Sequence, residues 1–302
     1  MDEAFLEPAA LVPVGAWELA HATGNDRIAF LHRLVTGKIE GLAAGEGARS
    51  LLLTVKGHIV SDLRVAVAGD RVHLVMPPGQ GETTVTALSR YAVMDDFDLR
   101  LDAGARLLAL HGPASEDRLR AAGVSVPPGF LGRPRLAHVE ATSEAGPLWL
   151  LRELSVGAPG IWCFGDQAAI AALTVRLRAA GVPELDPLQA EALRIRAGEP
   201  RFGAEITADY FPMELGLNGA IDYTKGCYLG QEPIVRIRDR GHLNWRLVTL
   251  VADGPGPIAV GDRLEADVKP KAGRVTSVAA LPGQPAVALG MLHMSVPVGT
   301  PV

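Results

Sequence analysis

Three apolar stretches between Leu51 and Met76 constrain the fold more than any other part of the chain. Leu51-Leu52-Leu53-Thr54-Val55, the turn Lys56-Gly57, and Ile59-Val60 running on to Val65-Ala66-Val67 read as a hairpin. Each run is too short and too rich in branched residues for a helix, and a glycine sits in the turn between them. Val72-x-Leu74-x-Met76 continues as a third strand, ended by Pro77-Pro78-Gly79-Gln80-Gly81. A helix covering Val85, Leu88 and Ala92 follows, then a strand through Phe97, Leu99 and Leu101. Upstream, Ile28, Leu31, Leu34 and Val35 share one helical face, with Asn25 or Gly24 placed to cap it and Gly37 to stop it. This order predicts an α+β unit with its helices on one face of an antiparallel sheet.

Leu107-Leu108-Ala109-Leu110 opens a second series, in which Ser115 is positioned to cap a short helix ending at Gly123. The stretch from Val126 to Pro134 reads as a break. Leu148–Leu151 and Ile161–Phe164 read as core strands, which makes Cys163 inert packing. Asp166 starts a helix that Gly181 stops. Asp186-Pro187-Leu188-Gln189 combines an N-cap, a first-turn proline and a capping-box glutamine for a helix ending at Gly198. Residues 201–218 lack periodicity. From Leu247 onward, short β-rich pieces alternate with Gly/Pro turns and predict a small C-terminal β-barrel or sandwich.

Composition narrows the function classes. The chain of 302 residues has 48% hydrophobic and 21% charged residues, an ordinary globular profile. Its formal charge of −5 argues against a general nucleic-acid binder. Two cysteines, Cys163 and Cys227, supply neither a disulfide framework nor a Cys-rich metal site, and the histidines show no ligand spacing. No apolar run reaches membrane-spanning length, and the acidic N-terminus lacks signal-peptide character. A cytoplasmic protein without a permanently bound metal is expected.

The chemistry concentrates in Lys225-Gly226-Cys227-Tyr228-Leu229-Gly230-Gln231-Glu232. Lys225 would favour a thiolate at Cys227 if the two side chains converge. Gly226 and Gly230 permit tight turns or close backbone approach. Gln231 and Glu232 offer donors and acceptors to a polar heterocycle or an amine. Arg236, Arg238 and Arg240 then form a line of guanidiniums suited to carboxylates or phosphates. A single cysteine is more often a small buried hydrophobe, so residue types alone leave a polar loop as the alternative.

The octet, followed by Arg and Arg-Gly, resembles the signature of the folate-binding YgfZ family, relatives of the glycine-cleavage T-protein. Looser echoes are Phe30–Leu34, Thr54–Gly57 with Asp62–Val65, Ala197-Gly198 with Phe202-Gly203, and Gly273–Ser277. The resemblance implies two α+β units around a central channel plus a small β-barrel. It implies domains over 1–47 with 135–243, carrying the Cys loop, over 48–134, and over 244–302. It implies Cys227 and Lys225 as the reactive pair, Gly226, Tyr228, Gly230, Gln231 and Glu232 as the motif loop, and Arg64, Glu214, Asn218, Arg236 and Arg240 as folate contacts. Tetrahydrofolate or a one-carbon derivative is the implied cofactor, and iron–sulfur assembly or client proteins are the implied partners, without direct nucleic-acid or membrane binding.

Two departures stand out. Pro77-Pro78 follows the third strand, where T-proteins carry an Asn-rich segment leading to a catalytic Asp. Arg196 stands where relatives often carry a Glu that would recognise the pterin, leaving Glu191, Glu199 or Glu214 to substitute. Three readings follow: a folate-binding accessory protein for iron–sulfur enzymes, a folate-dependent aminomethyl or other one-carbon transferase, and a non-catalytic scaffold for iron–sulfur clients.

Overall fold

The structure, a computed structural model, describes residues 6–253 and 258–302. Strands β1 (Ala10–Leu11) and β2 (Glu18–Thr23) precede helix α1 (Arg27–Leu34). Then come β3 (Glu46–Leu53), β4 (Ile59–Val67), β5 (Val72–Met76), α2 (Gly81–Ser89) and β6 (Asp98–Leu101). A second series runs β7 (Arg106–His111), α3 (Ser115–Ala121), β8 (His138–Ser143), β9 (Gly146–Glu153), β10 (Gly160–Gly165) and α4 (Gln167–Ala179). Helices α5 (Pro187–Arg196) and α6 (Gln231–Arg240) lead into β11 (Trp245–Val251), β12 (Arg263–Ala266), β13 (Lys269–Ala279) and β14 (Val287–His293).

The first sheet has the order β3-β4-β5-β2-β6 and the second β1-β7-β10-β9-β8, both antiparallel. Period-two alternation explains how they pack. On β4, Leu63, Val65 and Val67 face a core shared with α1 and α2, while Ala66 joins the core between the sheets. On β10, Ile161 and Cys163 face α4, and Trp162 and Phe164 face the first sheet. Strands buried on both faces are written as unbroken apolar runs, so the layering is helix–sheet–sheet–helix. Burial pushes the Cys163 thiol up to about 12, in keeping with packing rather than reactivity.

Several expectations need correcting. Among the described residues the C-terminal sheet has four strands in the order β11-β14-β13-β12 and is not closed into a barrel. Strand pairing also cuts the chain differently from 48 and 134. Strand β2 belongs with β3–β6, and β7 belongs with β8–β10, because each completes the sheet whose helices it packs under. Ser115 does not cap α3; it begins the helix, and its hydroxyl donates back to the Gly112 carbonyl. Helix α5 carries the expected capping box, Asp186 accepting from Leu188 and Gln189 amides. Among the described residues no helix is long and apolar enough to cross a membrane.

Candidate functional site

Where the sheets diverge, β4 turns polar residues inward. Asp62 and Arg64 occupy the same face of β4 as Ala66, and they open onto a cavity of about 560 Å³. Its apolar walls include Trp17, Pro77, Pro78, Pro187 and Phe202, and its polar ones include Asp62, Arg64, Ser155, Glu191, Arg194, Glu199 and Arg201. Arg64 is 1% exposed. It donates to Asp62 at 2.8 Å and Glu153 at 3.1 Å, and its guanidinium lies 4.0 Å over the Trp17 ring. Arg49 holds Asp62 through two bonds (2.9 and 2.8 Å) and lies 2.7 Å from Glu199, while Arg135 donates to Glu153 at 2.6 Å. Three arginines thus balance three carboxylates, of which Asp62, Arg64 and Glu199 line the cavity and Arg49, Arg135 and Glu153 lie behind them. Burial alone would raise the pKa of Asp62 and Glu153, but the adjacent guanidiniums overcome it and hold both below the usual carboxylate range.

The opposite wall comes from α5. Arg194 grips Glu191 through two bonds of 2.9 and 2.7 Å, and Arg201 adds a third at 3.2 Å. Glu191 keeps acceptor capacity toward the cavity, because each carboxylate oxygen can take more than one donor. A flat heterocycle with N–H groups on its edge, between apolar faces and beside Glu191 and Glu199, fits these walls.

The octet lies on a separate surface. Lys225 points away from solvent into the C-terminal end of α1, where its ammonium donates to the carbonyls of His32 (2.5 Å), Val35 (2.6 Å) and Gly37 (2.8 Å). Those bonds use all three N–H donors. Burial pulls its pKa down to about 8, against Asp222 and Glu40. Asp222 accepts from the Thr224 and Lys225 amides, and the Asp222 amide donates to the Thr36 carbonyl. Tyr228 is buried against Leu51, Leu53 and Ile59, which pushes its phenol up to about 12. At Gly230 (φ +76°) a Cβ would lie 2.3 Å from the Thr54 carbonyl oxygen, so only glycine lets α6 start against the β3–β4 turn. The base of the loop is anchored by these contacts, and Cys227 stands exposed on it.

Residues 3–225 match the GCVT N-terminal domain family, well over half of the chain. The chain belongs to that family. A tRNA-modifying protein YgfZ of Yersinia pestis is 28% identical over 262 residues, covering 85% of this chain and 76% of the relative. A chloroplastic transferase-like protein of Arabidopsis thaliana is 24% identical over 277 residues; the match takes in 91% of this chain but only 63% of the plant protein's length. Aminomethyltransferase T of the glycine cleavage system from Bartonella henselae superposes with a TM-score of 0.85 at 21% identity, covering 97% of this chain and 81% of that one. The family resemblance carried by the octet and its echoes is therefore borne out.

In this GCVT-family chain, the residues singled out in the sequence divide between two places. Arg64 lines the cavity. Glu214 does not: it is 4% exposed and accepts from the Phe211, Asn244 and Trp245 amides, tying the approach segment to the C-terminal sheet. Asn218 accepts from Tyr223 at the surface. Gln231 and Glu232 open α6, and Glu232 pairs along the helix with Arg236 at 2.6 Å, while Arg240 is exposed at its end. Gly226 has open space around its Cα. The expected convergence of Lys225 on Cys227 is replaced by an anchoring role, since the lysine's donors are committed to backbone carbonyls. Arg196 turns to the loop between β13 and β14, 2.9 Å from Gln284, and of the three possible substitutes Glu191 and Glu199 line the cavity. Glu191 and Glu199 were foreseen as substitutes for the missing pterin carboxylate, whereas Trp17, Ser155, Arg194 and Arg201 were not foreseen. The family resemblance pointed to Arg64 on one wall, and the Arg196 departure pointed to Glu191 on the other.

Removing the Lys225 ammonium tests the anchor. Lys225→Met is expected to cost the loop about 1–3 kcal/mol, the worth of hydrogen bonds to a charged donor. Amide exchange at residues 222–228 should quicken while the sheets keep their protection. Unchanged exchange in the loop would refute the anchoring role.

Proposed function

We propose that this chain is a cytoplasmic folate-binding accessory protein for the assembly or repair of iron–sulfur enzymes, including those that modify tRNA. The carrying observation is the separation of two built features. One is a cavity suited to a flat, N–H-rich heterocycle, and the other is an exposed thiol on a loop pinned by Lys225. Glu191 and Glu199 would hold the pterin edge, Trp17 and Phe202 its faces, and Arg201 at the rim a carboxylate tail. The bound group would supply a one-carbon acceptor; the chain's own residues orient it and exclude water. The Yersinia relative's name supports the tRNA connection, and the fold of aminomethyltransferase T supports the ligand class.

The composition of the cavity supports binding over aminomethyl transfer. Its described lining includes no Lys, His or Cys, and its three carboxylates, Asp62, Glu191 and Glu199, are ion-paired to arginine. Asp62 and Glu191 are held below the usual carboxylate range by their arginines, further from neutrality than a general base requires. One thiolate cannot hold a cluster alone, so Cys227 would act on a cluster held by a partner.

Two measurements test the reading. Cells lacking the protein, resupplied with wild type or Cys227→Ser at equal abundance, should recover an iron–sulfur-dependent tRNA-thiolating activity only with wild type. Full recovery with the serine variant would remove the thiol from the proposal. Titration of purified protein with tetrahydrofolate should show saturable binding, and none would remove the folate.

A further inference from the structure

Ser155 lines the cavity and is 8% exposed, and behind it lies the fully buried His111. The protons on this pair are fixed by chemistry. His111 Nδ1 lies 3.1 Å from the Ala158 carbonyl oxygen, which can only accept, so Nδ1 carries the proton. The Trp162 indole, which can only donate, points Nε1–H at His111 Nε2 from 3.3 Å. Nε2 is therefore an acceptor, and the Ser155 hydroxyl, 3.4 Å away, must be a donor to it. Both bonds to Nε2 are long because they share one lone pair. Burial holds the imidazole neutral, pulling its pKa down to about 4, so the assignment persists at neutral pH. Gly160 is what makes room for the ring: a Cβ there would sit 2.3 Å from His111 Nδ1.

With its proton directed backward, the Ser155 oxygen faces the cavity as an acceptor only. We propose that Ser155 is a specificity-determining residue that accepts a hydrogen bond from a ring N–H of the ligand, with His111 as the positioning residue that fixes its polarity. This rests on the folate reading above and sharpens it. Tetrahydrofolate carries N–H at ring positions 5 and 8, whereas fully oxidised folic acid presents bare lone pairs at both. An acceptor facing an acceptor is repulsive and leaves both desolvated, so the wall selects the reduced ring.

The test compares tetrahydrofolate with folic acid, titrated anaerobically into the full chain and read by Trp fluorescence or calorimetry. Wild type should prefer tetrahydrofolate by about tenfold or more, the scale of one well-placed hydrogen bond. Ser155→Ala should lose most of that preference, Ser155→Thr, which keeps the hydroxyl, should retain it, and neither should lower the unfolding midpoint enough to depopulate the fold. Nitrogen-15 shifts of His111 should report the Nδ1-protonated tautomer. Binding of tetrahydrofolate with the preference unchanged in Ser155→Ala, or the opposite tautomer at His111, would overturn the role of Ser155 and leave the folate reading standing. Absence of binding by either compound to wild type would instead remove the folate reading and this inference with it.

Discussion

Glu153→Leu should destabilise the protein by about 3–5 kcal/mol, the range for removing one partner of a buried ion pair. Glu153 is fully buried and accepts from Arg64 at 3.1 Å, Arg135 at 2.6 Å and the Leu154 amide at 2.7 Å. Without it Arg64, itself 1% exposed, keeps Asp62 but loses the acceptor at its Nε, in a place that water reaches poorly. The leucine recovers only part of this through apolar contact. Glu153→Gln, which keeps an acceptor oxygen and the shape, should fall between. The double variant Arg64→Met with Glu153→Leu should be less damaging than the sum of the two singles, because it leaves no unpaired buried charge at Arg64. Denaturant midpoints with unchanged slopes provide the measurement. A loss below about 1 kcal/mol in Glu153→Leu would mean that the network relaxes or hydrates, and the cavity wall would not be preorganised.

That network shows why the site was only half legible in the sequence. Largely apolar segments bounded by glycine and proline turns identified β3, β4 and β5 of the first sheet, and alternation identified β6. Period two puts Asp62 and Arg64 on one face of β4, although only Arg64 was singled out, and that through the family resemblance. Their partners, Glu153 on β9 and Glu199 just after α5, come from the second sheet and from a loop, and no local pattern records such a pairing. The short strands β2, β8 and β12 were missed for a related reason: their burial is set by neighbours, and their sequences mix polar with apolar positions. Helix α6 was read as a line of guanidiniums, because Pro233 and the charges at 236–240 obscure a single buried anchor, Ile234. The capping box of α5 was legible because a cap is a local chemical contract among four neighbouring residues. The octet was legible as a motif, but its internal geometry was not: the acceptors that claim Lys225 are backbone carbonyls of α1 and its following turn, whose side chains carry no trace of the role.

Acid should unfold this chain earlier than its carboxylates alone would require. His73, pressed into the interface between the two sheets, has its pKa pulled down to about 3 by burial and then by His21 and His138. His111 is pulled down to about 4 by burial, against the Ala158 carbonyl. In the unfolded chain both titrate near 6.5. Below that pH the unfolded state binds two protons at these sites that the fold refuses, which alone gives a slope of up to roughly 2.7 kcal/mol per unit, two histidines at 1.36 each, and the lowered His32, His138 and His293 act in the same direction. The contribution is fully present above about pH 6.5 and is lost progressively down to pH 3–4. Asp62, Glu153 and Glu191 have depressed folded-state values, so they act in the same direction, but only below the ordinary carboxylate range, where the decline steepens. Between pH 6.5 and 5 the histidines therefore dominate. Guanidinium midpoints across that window should drop in wild type, and His73→Phe should flatten the slope by about one proton, roughly 1.36 kcal/mol per unit. His73 suits this test because its ring already stacks on Trp149, 4.5 Å between centroids, where a phenyl ring makes the same contact without a titrating nitrogen. A flat stability profile from pH 7 to 5 in wild type would mean that the inter-sheet interface admits protonated histidine, and the tight packing of that interface would have to be abandoned.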